Sequence, residues 1–266
     1  MTATVVSEKV KAAVRETYGR IATEQPSAGC CGTTGCCGSG AQSTSEALGY
    51  SEDERQSAPE GADLGLGCGN PQAIAELQPG ERVLDLGSGA GFDAFLAARQ
   101  VGETGSVIGV DMTAEMITKS RANIGKTDLR NVEFRLGEIE RLPVADSSVD
   151  VIMSNCVINL STDKAAVFRE AFRALAPGGR LAISDIVAIR EIPPGVRNDL
   201  KAYAGCVSGA ALVPEVEAML AAAGFVDVRV ELKSNSASLV EGWSPGAETL
   251  VASALIRARK PAGSAA

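Results

Sequence analysis

The chain contains no histidine. Any general base or metal ligand must therefore be a carboxylate, a lysine, a tyrosine or a cysteine. It also lacks a basic excess: 25 Lys and Arg stand against 33 Asp and Glu, a net charge of −8. This argues against a nucleic acid as the main partner, because phosphate contacts need clustered Lys and Arg. No apolar run reaches the roughly 18 residues of a membrane helix. The N-terminus shows no basic-then-apolar signal pattern. These absences lead to the expectation of a soluble, cytoplasmic protein that does not engage a membrane. A secreted disulfide framework is also disfavoured, since the 7 cysteines are odd in number and follow no signal peptide. With 45% apolar residues over 266 positions, the chain can build one large domain or one domain with small appendages.

What is present centres on residues 82–93, Arg-Val-Leu-Asp-Leu-Gly-Ser-Gly-Ala-Gly-Phe-Asp. Arg82 to Leu86 read as a short apolar strand, and Phe92, Phe95, Leu96 and the alanines as the apolar positions of a following helix. Between them, Gly87, Gly89 and Gly91 form a tight turn where bare backbone can approach a ligand closely. One element of the dinucleotide fingerprint G-x-G-x-x-G is missing, because Phe92 stands where the third glycine belongs. That argues against a pyrophosphate and for a nucleoside ligand without phosphate, held at the switch point of a parallel sheet.

The rest of the chain supplies such a sheet. Strands are expected at 106–111, 132–136, 150–154 and 180–187, alternating with helices over 113–124 and, capped by Ser161 or Thr162, up to Leu175. This βα alternation predicts a doubly wound parallel sheet with helices on both faces. Two further strands, 226–232 and 249–257, read as an antiparallel pair closing the sheet edge, with a helix from Pro214 to Ala223 before them. Asp111 ends the second strand, roughly 20 residues beyond the glycine turn, where a carboxylate commonly accepts two hydrogen bonds from a ribose diol. Met112 can lie against a purine face or pack in the core. Ile139 can face it across the base, and Glu138 can accept from an amino group. Asn155 follows the fourth strand at the same edge. Asp85, Gly87, Ser88 and Gly89 complete the expected cofactor set.

The flanks are less regular. Residues 6–23 form an amphipathic helix with Val10, Ala13, Val14, Tyr18 and Ile21 at helical spacing and Ser7 as its N-cap. It either packs on the main domain or acts as a lid with Tyr18 pointing inward. Residues 25–45 read as a mobile loop containing Cys30, Cys31, Cys36 and Cys37. Cys31 and Cys36 supply half of a zinc pattern whose other half is missing. A thiol relay, a soft-metal loop and an incidental low-complexity segment are the other readings. Cys68 lies just before a helix capped by Asn70 with Pro71 at its first position, so its thiolate should be favoured by the dipole and left accessible by flanking glycines. Cys156 follows Asn155 on the ligand edge, and Cys206 sits in a loop between Gly205 and Gly209.

Leu84-Asp85-Leu86-Gly87-Ser88-Gly89, Asp111-Met112, residues 137–143 and Pro177-Gly178-Gly179 resemble the class I S-adenosylmethionine-dependent methyltransferases, a Rossmann-like fold. Tyr18-Gly19, the cysteines after it, Gly67-Cys68-Gly69, residues 154–160 and Gly205-Cys206 resemble, more narrowly, the arsenite methyltransferases. Leu66-Gly67 replaces the Tyr-Gly of that pattern, and Cys36-Cys37 is an addition to it. The resemblance implies that S-adenosylmethionine is the methyl donor and that Cys68, Cys156 and Cys206 bind trivalent arsenic as substrate. It further implies that Cys30 or Cys31 exchanges thiols and is restored by thioredoxin or glutathione. The substrate would be arsenite or its thiol conjugates. On this reading residues 1–70 form a helical, cysteine-rich cap, 71–188 the cofactor-binding core, and 189–266 a substrate-loop region with the closing strands.

The chemistry is coherent. Arsenic(III) is soft and suits thiolates, as other soft ions do. Three thiolates leave it a lone pair directed away from the sulfurs, and no proton need leave that nucleophile, so the absence of histidine is no obstacle. Two rival expectations are a C- or O-methyltransferase of another small molecule and a non-catalytic metalloid binder using residues 30–37.

Overall fold

The computed structural model describes residues 3–24, 44–241, 243 and 246–263. In chain order the elements are α1 (Ala3–Thr23), α2 (Thr44–Ala47), α3 (Glu52–Ser57), α4 (Gln72–Ala75), β1 (Arg82–Leu86), α5 (Phe92–Val101), β2 (Ser106–Asp111), α6 (Ala114–Ile124) and β3 (Val132–Leu136). They continue with β4 (Val149–Asn155), α7 (Lys164–Ala174), β5 (Leu175–Ala188), α8 (Pro194–Arg197), α9 (Leu200–Ala204), α10 (Val213–Ala223), β6 (Val226–Leu232), α11 (Ser236–Val240) and β7 (Val251–Arg259). Seven strands form one sheet in the order β3-β2-β1-β4-β5-β7-β6, with β7 antiparallel to both its neighbours. The strand order reverses between β1 and β4, so the carboxyl ends of these two strands border a crevice.

The strands of a sheet covered on both faces must be apolar on both faces. In β1 the alternation divides the core: Val83 packs with Phe95, Ala94, Val151 and Ile117, whereas Leu84 and Leu86 pack with Ile152, Phe168 and Ile183. Phe95 is fully buried and meets Phe134 edge to face, with centroids 5.5 Å apart. Truncating it to alanine would cost about 3–5 kcal/mol. That packing seats α5 on the sheet and so holds the glycine turn at its end.

Several local expectations need correction. Ser7 is no N-cap: α1 begins at Ala3, and the Ser7 hydroxyl instead meets Thr162 Oγ1 at 2.6 Å. The cap of α7 is Asp163, whose carboxylate accepts from Ala166 N at 2.9 Å; Ser161 and Thr162 are occupied with Glu140 and Ser7. Strand β5 starts at Leu175, ahead of Pro177-Gly178-Gly179, rather than after it. Asn70 does accept from Ala73 N at 3.2 Å, but it is not the N-cap: Pro71 holds the cap position, not the first helical one, and the helix spans only the four residues Gln72–Ala75. A short helix and a 3-10 turn, Ala247–Thr249, fill the link between β6 and β7.

Candidate active site

A cavity of about 1240 Å³ opens at the carboxyl ends of β1, β2 and β4. The glycine turn borders it, with φ of +69° at Gly87 and +51° at Gly89, a region where an L side chain is strained. Gly89 N donates to Asp111 Oδ2 at 3.0 Å and Thr113 N to Asp111 Oδ1 at 2.8 Å, which locks that carboxylate against the turn. Met112, Ile139 and Asn155 border the same space.

Three carboxylates converge here. Burial, then the neighbouring charges of Asp93 and Asp111, pushes Asp85 well above the usual carboxylate range. Burial pushes Asp93 up to about 6, outweighing the Tyr50 hydroxyl (2.7 Å) and the Asn155 amide (3.2 Å) that donate to it. Burial also raises Asp111, partly offset by its two backbone donors. No cation stands beside this group among the described residues with an ion pair to any of the three. Asp85 Oδ2 and the Ser88 hydroxyl are buried with no partner. Clustered acids and unpartnered polar atoms beside an open glycine turn fit a ligand carrying a nucleoside and positive charge, as S-adenosylmethionine does.

One expected cofactor residue departs from this arrangement. Glu138 does not border the cavity; its carboxylate bonds Lys11 Nζ at 2.6 Å and Arg15 Nη2, both on α1. Those two cations hold Glu138 below the usual carboxylate range. The carboxylate is a latch for α1 and not free to accept from a base. Asn155 borders the cavity, but its amide is spent within the protein: Oδ1 accepts from Cys68 N at 3.1 Å, and Nδ2 donates to Gly69 O at 2.8 Å and Tyr50 Oη at 3.0 Å. Helix α1 lies over the cavity with Lys11, Val14, Thr17 and Tyr18 on its wall. The inward Tyr18 of the lid reading is therefore present and half-buried, its hydroxyl donating to Ala204 O at 3.4 Å, two residues before Cys206.

Cys68, Cys156 and Cys206 are free, buried and in one apolar cluster with Val10, Val14 and Leu160. The Cys156 thiol interacts with both other thiols, and Cys206 Sγ donates to Cys156 O at 3.7 Å. No preformed three-ligand metal site exists among the described residues. Cys156 and Cys206 have φ of +59° and +64°, left-handed backbone that is rare outside glycine and clusters at functional sites. Both border the cavity; Cys68 does not. The accessible Cys68 thiolate expected from its flanking glycines is not found: the side chain is 0% exposed, and burial pushes its thiol up. Contact with Cys206 and Cys68, then burial, pushes the Cys156 thiol well up. Cys30, Cys31, Cys36 and Cys37 lie outside the described residues.

Comparison with known proteins follows the same lines. A family described as "Methyltransferase domain" matches residues 77–224, more than half of the chain. An arsenite methyltransferase of Halobacterium salinarum is 51% identical over 96% of this chain and 68% of its own length. The chain belongs to the arsenite methyltransferase family. A second arsenite methyltransferase, from Aquipseudomonas alcaligenes, is 44% identical over 65% of this chain, which spans 51% of that relative. The crystal structure of CrArsM, an arsenic(III) S-adenosylmethionine methyltransferase from Chlamydomonas reinhardtii, superposes with a TM-score of 0.64 at 34% identity, covering 84% of this chain and 75% of that one. The fold is the class I methyltransferase fold shared by that structure.

Sequence reasoning missed two residues that line the cavity, Asp93 and Trp243, and two that support its wall, Tyr50 and Asp185. Asp93 belongs to the acidic wall, with the Tyr50 hydroxyl donating to it, and Trp243 borders the cavity in the cluster that holds the thiols. Asp185 holds the Cys156 loop from behind. Asp93 was legible in principle, since it follows the glycine turn directly; Tyr50 and Trp243 come from irregular segments with no pattern to mark them.

Proposed function

We propose that this protein transfers a methyl group from S-adenosylmethionine to thiol-bound trivalent arsenic, giving methylated arsenicals, and that it does so in the cytoplasm as a detoxifying enzyme. The observation that carries the reading is the pair Cys156 and Cys206, held in left-handed backbone on the wall of the cavity that the glycine turn also borders.

When bound, S-adenosylmethionine supplies a methyl group on a positively charged sulfur. Asp111, Ser88, Gly87 and Gly89 would hold its nucleoside end, Asp85 and Asp93 would offset its charge, and Met112 and Ile139 would flank the base. Cys156, Cys206 and Cys68 bind arsenic. Each thiol proton leaves with an arsenic hydroxyl as water, so the thiols can start neutral and their raised pKa values are no barrier to loading. The bound arsenic keeps its lone pair, so no side chain has to remove a proton from the nucleophile. The chain's contribution is then positioning: cofactor and arsenic sites share one continuous segment at the end of β4, Asn155-Cys156. Close alignment of reactants can supply about 7–11 kcal/mol of a barrier. Tyr18 and α1 close the cavity and keep water from it.

Cys30 and Cys31 relay thiols, with thioredoxin or glutathione as the reductant. Residues 1–70 act as the cap, 71–188 as the cofactor core and 189–266 as the substrate-loop region. The test is methylation of arsenite by the purified protein with thiol and labelled methyl donor. Cys156→Ser should abolish arsenical products while S-adenosylmethionine still binds by calorimetry. Undiminished turnover of Cys156→Ser would overturn the arsenic site.

A further inference from the structure

The Cys156 loop is held from behind by a buried polar cluster that does not border the cavity. Asp185, on β5, is 2% exposed. Its Oδ2 accepts from the backbone N–H of Ile158 at 2.7 Å and of Asn159 at 3.3 Å. Its Oδ1 accepts from Asn159 Nδ2 at 2.6 Å and from Ile186 N at 2.6 Å. Asn159, 1% exposed, directs the same Nδ2 at Cys156 Sγ, 3.8 Å away. The Cys156 backbone is pinned as well, donating to Ser184 O at 2.8 Å next to Asp185. Lys164 Nζ donates to Asn159 O at 3.1 Å and Ser161 O at 2.8 Å, closing the cluster on its other side.

We infer that Asp185, acting through Asn159, is a positioning residue that sets the Cys156 sulfur for arsenic. The chemistry is one of orientation. An ionised carboxylate only accepts hydrogen bonds, whereas an amide has an accepting and a donating end. Asp185 therefore dictates that the NH₂ end of Asn159, and not its carbonyl, faces Cys156. One amide hydrogen serves the carboxylate and the other the sulfur. An N–H aimed at sulfur fixes the side-chain rotamer and favours the electron-rich sulfur that binds a soft ion. The unpartnered Asn159 Oδ1 is consistent with an amide turned for its donors and not its acceptor. The arrangement parallels the outer-shell carboxylates that orient metal-ligating side chains, whose loss commonly costs 10–100-fold in affinity or activity.

This inference rests on Cys156 as an arsenic ligand, and the experiment separates the two. Trp243, the single tryptophan, borders the cavity and packs in the cysteine cluster, so its fluorescence reports arsenite binding. Arsenite is titrated into the full chain with Cys30, Cys31, Cys36 and Cys37 all changed to serine, and S-adenosylmethionine binding is measured in parallel by calorimetry. Asp185→Asn and Asn159→Ala should each raise the arsenite dissociation constant about 10- to 100-fold and leave that for S-adenosylmethionine unchanged. Asn159→Ala keeps the three backbone donors of Asp185 and so tests the idea even where Asp185→Asn fails to fold. Combined, the two changes should weaken binding no more than about twofold beyond the stronger single effect, because they act in series. Unchanged arsenite affinity in Asn159→Ala, equal loss of both ligands, or two effects that multiply would each overturn it. Failure of the unsubstituted Asp185–Asn159 protein to bind arsenite would instead refute the arsenic site itself.

Discussion

Two neighbouring glycines separate the demands of the fold from those of the cofactor. At Gly87, φ is +69° and an added Cβ would sit 2.2 Å from Val157 Cγ2, 2.6 Å from Cγ1 and 2.8 Å from Cβ. Val157 cannot easily retreat, because it joins Cys156 to the turn Ile158–Leu160. Gly87→Ala therefore adds overpacking of about 1–3 kcal/mol to a left-handed alanine costing about 1–2 kcal/mol. At Gly89, φ is +51° and the added Cβ meets only Met116 Sδ, at 3.9 Å. There the backbone cost of about 1–2 kcal/mol stands alone, while the methyl group occupies cavity space. Urea denaturation should accordingly place Gly87→Ala about 2–5 kcal/mol and Gly89→Ala about 1–2 kcal/mol below the parent protein. Calorimetry should show Gly89→Ala losing S-adenosylmethionine affinity beyond what its stability explains. Equal destabilisation of the two variants would show that Gly87 is not the crowded position. Parental cofactor affinity in Gly89→Ala would remove the turn from the binding site.

Asp93 makes cofactor binding sensitive to pH. Its folded pKa of about 6 lies above the unfolded value of about 3.9, so the folded protein holds this proton more tightly. Its contribution to stability is therefore greatest below about pH 4, and up to about 3 kcal/mol is lost as pH rises to about 6. A cationic cofactor favours the ionised form, so its affinity should fall about tenfold from pH 7 to pH 5; a flat calorimetric profile, or one unaltered by Asp93→Asn, would exclude that role. Glu138→Gln releases Lys11 and Arg15 from a carboxylate that is 37% exposed, so the stability loss should stay within about 1 kcal/mol. Proteolysis within α1 should nevertheless quicken, and high salt should produce the same change in the parent protein; equal cleavage rates at low salt would show that this latch does not hold the helix.

The residues whose placement was read correctly from sequence are those whose determinants are local. The glycine turn follows an apolar strand and precedes a helix, so its place at the sheet edge follows from β1 and α5 alone. Asp111 ends one strand and Cys156 directly follows another of the same sheet, which puts them on the same edge once the strands are parallel. Cys68 shows the limit. Its flanking glycines offer no cover, yet it is buried in an apolar cluster to which distant segments contribute Val10, Ile186, Val207 and Val251. Glu138 fails for the same reason: the cations that claim it lie on α1, and nothing near residue 138 announces them. The Asp163 cap was missed by one or two residues because three candidate caps, Ser161, Thr162 and Asp163, stand together and only tertiary contacts assign each its partner.

Asn155 shows why those distant contacts matter for chemistry. Read as a strand-end residue, it belonged with the cofactor set. In the folded protein its amide joins the two halves of the site: Oδ1 fixes the backbone of Cys68, and Nδ2 reaches Gly69, Tyr50 and the Asp93 carboxylate. A Cβ on Gly67 would lie 2.9 Å from this amide, so the segment before Cys68 can approach Asn155 only because it lacks a side chain there. Cys156 is the next residue along the chain. One side chain thus ties the loop that carries Cys68 to an acid of the cavity wall, and the adjacent backbone carries Cys156, the two thiols proposed to hold arsenic. Methyl transfer depends on the separation of two bound groups. A rigid link between their binding residues serves that need better than a general base, and it is consistent with a chain that has acids, thiols and no histidine.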